Sequence, residues 1–106
     1  MWIFTKHGFY SVVEDRDNPD LLLVRARVEG DIEKYFRDAV VYYTPEHDYA
    51  YRAHVSRREV AAVMAQTVLG VDYPNFKSGI ADHRRGGFYI QIWNILWDMQ
   101  RALRGA

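Results

Sequence analysis

The most regular pattern of apolar and polar positions is Leu21-Leu22-Leu23-Val24-Arg25-Ala26-Arg27-Val28. Branched residues that give way to strict alternation predict a central β-strand over Leu21–Val28. Side chains alternate between the faces of a strand, so Leu22, Val24, Ala26 and Val28 share one face and Leu23, Arg25 and Arg27 the other. The first set is fit for a core. The two arginines of the second need water or an anionic partner. The pattern recurs over Tyr49–Val55, where Tyr49, Tyr51, Ala53 and Val55 are expected on one face, with Ala50, Arg52 and His54 opposite.

Weaker signals fill the rest of the first half. Trp2–Thr5 and Phe9–Glu14 read as one strand broken at Gly8 by a bulge or a sharp bend. The polar run from Asp15 to Asp20, with Asn18-Pro19, predicts a turn that closes a hairpin onto Leu21–Val28. Ile32, Tyr35, Phe36 and Ala39 recur at helical spacing behind a capping Asp31, which predicts a short helix over Asp31–Ala39. Val40–Tyr43 suits a strand, and Thr44–Asp48 a hairpin loop with Pro45 ending that strand.

The second half is read as helical. Ser56-Arg57-Arg58-Glu59 is a capping box. It opens a helix to about Leu69, with Val60, Val63, Met64, Thr67 and Val68 on one stripe and Gly70 as a stop. Asp72–Lys77 reads as a turn leading into one helical turn through Ile80, and Phe76 is expected to pack against the last helix. Asp82–Gly87 reads as a flexible loop, with Arg84-Arg85 as its basic tip, followed by a last helix over Phe88–Arg104. The apolar residues of that helix cover more than one face, which a single core stripe does not explain.

The order is ββαββαα in a single domain over 1–106. A right-handed crossover makes strands two and three parallel and lets strand four insert antiparallel between them. The expected fold is therefore α+β: a two-layer sandwich with a four-stranded, mostly antiparallel sheet in the order 1-2-4-3. Helices cover one face, and the unit resembles half of a ferredoxin-like fold.

Composition narrows the partners. At 106 residues and 49% hydrophobic residues the chain suits one core. Lys+Arg and Asp+Glu are 14 each, so the formal net charge is +0, which weighs against a strongly electrostatic nucleic-acid binder but leaves a local basic patch open. The absence of cysteine excludes a disulfide framework and a thiolate nucleophile, and makes a cytoplasmic protein the simplest expectation. The N-terminal residues lack the basic start and apolar run of a signal peptide, and no apolar run approaches a membrane span.

Two groups of residues stand out. Arg25, Arg27, Arg52 and His54 converge on the uncovered sheet face if strands two and four are neighbours. There they form a candidate anion or nucleic-acid site, or a solvated face whose arginines pair with Glu14, Glu29 or aspartates. Tyr89, Trp93 and Trp97 lie one turn apart on a flank of the last helix. They are candidate interface residues, because Phe88, Ile92, Ile95, Leu96, Met99 and Leu103 suffice for a core. No catalytic residue is assigned: Ser11, Ser56 and Ser78 carry no nucleophile motif. The four histidines His7, His47, His54 and His83 show no metal-ligand spacing, no glycine-rich phosphate loop occurs, and no cofactor is expected.

Several segments also carry a resemblance. Met1-Trp2-Ile3-Phe4-Thr5, Gly8-Phe9-Tyr10-Ser11-Val12-Val13, Val24-Arg25-Ala26-Arg27, Asp48-Tyr49-Ala50-Tyr51-Arg52 and Asp72-Tyr73-Pro74-Asn75-Phe76-Lys77 are similar to a family of small uncharacterised bacterial and phage proteins. The resemblance covers most of the chain, implies a bacterial or phage cytoplasmic protein, and brings no activity with it. The leading expectation is a non-enzymatic interaction protein, a homodimer or the binder of a protein partner. The alternative is a nucleic-acid or nucleotide-binding domain using the basic sheet face.

Overall fold

The computed structural model describes residues 1–105 and is α+β. The chain divides into two compact units, Met1–Asp72 and Tyr73–Ala106. The first holds five strands, β1 (Trp2–Phe4), β2 (Phe9–Glu14), β3 (Leu21–Ala26), β4 (Tyr42–Tyr43) and β5 (Tyr51–Ser56), and the helix α1 (Arg57–Leu69). The second holds a 3-10 turn (Lys77–Gly79) and the helix α2 (His83–Arg104).

All strand pairs are antiparallel, in the order β1-β2-β3-β5-β4. Counting β1 and β2 as one strand reproduces the expected order 1-2-4-3, but the sheet has five strands, not four. The break at Gly8 is a complete reversal. Thr5 N–H donates to the Gly8 carbonyl at 2.9 Å, and the Thr5 hydroxyl accepts the Gly8 N–H at 3.0 Å. Gly8 is needed there because a Cβ would come within 3.0 Å of the buried Asp31 carboxyl carbon.

The helix expected over Asp31–Ala39 does not form. Gly30 takes a φ of +90°, and isolated turns follow, such as Phe36 N–H to the Ile32 carbonyl at 2.9 Å. Asp31 does not cap a helix: its carboxylate accepts the Phe9 N–H at 3.0 Å, tying the segment to the start of β2. Ile32 and Phe36 are buried all the same, so the helical spacing recorded two anchors of a buried turn. The ferredoxin-like half therefore lacks its crossover helix. Val40, expected in a strand, is exposed before the two-residue β4, and Val28 is exposed past the end of β3.

The core lies on one sheet face. Tyr10, Val12, Val24, Ala26, Ala53 and Val55 meet Ile32, Phe36 and Val60 there. α1 packs on β3 and β5 through Val60, with Val63 and Met64 partly buried, whereas Val68 is exposed. Ser56 caps α1 by accepting the Glu59 N–H at 3.1 Å, and the Gly70 N–H closes it on the Gln66 carbonyl at 3.0 Å. At the centre, the Tyr10 ring meets Phe36 edge-on at 5.5 Å and its hydroxyl donates to Met64 Sδ at 3.5 Å. Burial, with Tyr35 alongside, pushes the Tyr10 phenol up to about 12.

In the second unit α2 starts five residues earlier than the sequence pattern suggests. Asp82 Oδ1 accepts the backbone N–H groups of Arg84 and Arg85 at 3.0 and 3.2 Å, which holds its carboxyl below the usual carboxylate range. Gly86 and Gly87, read as loop, are helical. Phe76 does pack on the helix, stacking on Tyr89 at 5.7 Å between ring centroids.

Candidate functional site

The sheet face opposite the core carries one continuous row of side chains. Register partners share a face, and Trp2, Ser11, Arg25, Arg52 and Tyr42 are successive partners across β1, β2, β3, β5 and β4. Arg25 and Arg52 are thus direct neighbours, and His54 follows two residues after Arg52 on the same face, opposite Leu23. Arg27 lies past the end of β3, and joins the group through Tyr49.

Tyr49 is the residue that sequence reasoning misplaced. Expected on the core face with Tyr51, it lies with the arginines instead, only 3% exposed. The guanidinium carbons of Arg25 and Arg27 sit 4.4 and 4.3 Å from its ring centroid. Phe9 lies 6.5 Å from the same ring and stacks on Phe4 at 4.4 Å. The displacement is physical: β5 begins at Tyr51, and alternation does not bind a residue outside the strand.

The arginines divide by partner. Arg52 reaches the Asp48 carboxylate at 3.3 Å and the Tyr49 carbonyl at 3.2 Å. Arg27 donates to the Asp48 carbonyl at 2.7 Å and Arg25 to the Ser11 hydroxyl at 3.0 Å. Among the described residues neither Arg25 nor Arg27 has a carboxylate partner, so of the alternative in which the arginines pair with Glu14, Glu29 or aspartates, the Arg52–Asp48 pair is the part that is present. Arg25 Nε is buried and meets no acceptor.

His54 belongs to a separate chain of bonds. In the neutral ring, Nδ1–H donates to the buried Asp15 carboxylate, leaving Nε2 to accept the Tyr42 hydroxyl at 3.0 Å. The Tyr42 and His54 rings also lie nearly parallel, 5.7 Å apart. The bond from His54, with the Asp17 and Asn18 N–H groups, lowers the Asp15 pKa. The chain fixes the Tyr42 ring and ties the edge strand β4 to the β2–β3 turn. Asp15 lies one residue past the end of β2, and no local sequence signal places it against His54.

The second candidate surface is α2. Tyr89, expected on an interface flank, is 7% exposed and packed against Phe76. Trp93 and Trp97 are 45% and 44% exposed, with parallel rings 6.1 Å apart. Lys77 Nζ sits 3.9 Å from the Trp93 centroid. An open groove of about 420 Å³ runs beside them, lined by Asn75, Lys77, Ser78, Ile90, Trp93 and Asn94. Of the residues expected to line the core from this helix, Phe88, Ile95, Leu96, Met99 and Leu103 are exposed and Ile92 is half-buried.

No group of three His, Asp or Glu side chains converges as a metal site among the described residues, and no helix is long and apolar enough to cross a membrane. No family model, curated protein or solved structure matches the chain.

Proposed function

We propose that the chain is a small, non-enzymatic interaction module that self-associates through α2. One observation carries the reading: a helix of 22 residues exposes Phe88, Ile90, Trp93, Ile95, Leu96, Trp97, Met99 and Leu103. Apolar side chains left exposed on this scale point to an interaction surface. Trp93 and Trp97, one turn apart with parallel rings and both partly exposed, form the seam on one flank of that helix. A second copy of the same helix supplies that seam most simply, since symmetric dimers are the commonest oligomers.

The setting we propose is the cytoplasm of a bacterium or a phage-infected cell. The lack of cysteine and the resemblance to small bacterial and phage proteins support it. Light scattering on wild type and Trp97→Ala tests the reading. The expected result is a wild-type dimer and a folded Trp97→Ala monomer, with association weakened by about 2 kcal/mol or more. A monomeric wild type that Trp97→Ala unfolds would make the tryptophan a core residue and defeat the proposal.

A further inference from the structure

We infer that the sheet face opposite the core binds single-stranded nucleic acid. The row Trp2–Ser11–Arg25–Arg52–Tyr42 crosses five strands, or about 19 Å at the usual strand spacing of about 4.8 Å. It begins and ends on aromatic rings open to water: Trp2 is 68% exposed and Tyr42 40%. Both rings are held. Trp2 stands edge-on to Phe9 at 6.2 Å, and Tyr42 is fixed by its bond to His54. Between them lie the guanidinium groups. Exposed flat rings at the two ends of a row of cations match the two faces of a single strand, whose unstacked bases need a stacking surface and whose phosphates need donors.

Charge decides which partner the face fits. Arg52 is neutralised by Asp48, and His54 faces Asp15. Arg25 and Arg27 have only neutral partners among the described residues, a hydroxyl, a carbonyl and the shared Tyr49 ring. A phosphate oxygen is an acceptor that a guanidinium binds well. Two guanidinium groups without a carboxylate partner among the described residues, on a chain of formal net charge +0, make the electrostatic part small, so stacking must supply much of the affinity. This favours a single strand over a duplex, whose bases are already stacked on each other. It also favours a single strand over an acidic peptide, which would use the arginines and leave Trp2 and Tyr42 idle.

Fluorescence anisotropy of a labelled mixed-sequence oligonucleotide, as single-stranded DNA, single-stranded RNA and duplex, tests the inference on the full chain. At least one single-stranded probe should bind at least tenfold more tightly than the duplex. The logarithm of its binding constant should fall against log salt with a slope of about −1.4, as two neutralised phosphates require. Trp2→Ala should weaken binding about fivefold or more, and Arg27→Ala should flatten the salt slope by about half. Both positions are exposed, so circular dichroism should show the fold unchanged. Absence of binding at low salt, equal binding of duplex, or an unchanged Trp2→Ala affinity would overturn the inference. So would competition by poly-glutamate as effective as that of the unlabelled oligonucleotide, which would point to an acidic protein instead.

Discussion

Tyr10 concentrates the chemistry of the core in one side chain. It is fully buried, touches Phe36 and Met64, and its phenol titrates at about 12 because burial disfavours the phenolate. In the unfolded chain the same group titrates near about 10. Between these values the unfolded chain has lost the proton and the native chain has kept it. The stabilisation is therefore complete below about pH 10 and is lost as pH rises through about 12. Urea denaturation at stepped alkaline pH should show this fall in wild type, and a much smaller one in Tyr10→Phe. An equal fall in both would assign the alkaline sensitivity to other groups.

Single elements show where local signals hold and where they fail. The capping box ahead of α1 is a short-range device, and its Ser56 half is made, the hydroxyl accepting the Glu59 N–H. At α2 the segment with the two glycines reads as a loop, yet Asp82 caps the helix and starts it before them. Gly87 is helical and a Cβ there would meet nothing within 4 Å, so its glycine entropy is a cost without a packing reason. Gly87→Ala should stabilise α2 by roughly 0.5–1 kcal/mol, seen as slower amide hydrogen exchange along the helix. Unchanged or faster exchange would mean that the glycine is needed for contact with a partner.

At the scale of the whole molecule, the proposed self-association couples folding to concentration. An assembly that binds only the folded form raises apparent stability by mass action. The thermal midpoint should thus rise with protein concentration in wild type and stay level in Trp97→Ala. A wild-type midpoint independent of concentration would argue that α2 is stable without a second copy. The nucleic-acid inference rests on the other unit, so either proposal can fail while the other stands.

Local patterns along the chain specify strands β2, β3 and β5, the inward and outward sets of β3 and, apart from Tyr49, of β5, the cap of α1, and the presence of Arg25, Arg52 and His54 on one face. These are local properties. Burial of one face imposes a period of two on a strand, and a cap satisfies N–H groups within one turn, so a short window contains the whole signal. Only the tertiary structure decided the rest. Residues 31–39 carry helical spacing, yet the Asp31 carboxylate is used by Phe9, and a buried turn satisfies Ile32 and Phe36 as well as a helix would. Tyr49 left the core face because the strand had not begun, and it was free to slide beneath two guanidinium groups from β3 and its end. The Asp15–His54–Tyr42 chain joins residues up to 39 positions apart, and no local periodicity encodes which distant side chains meet.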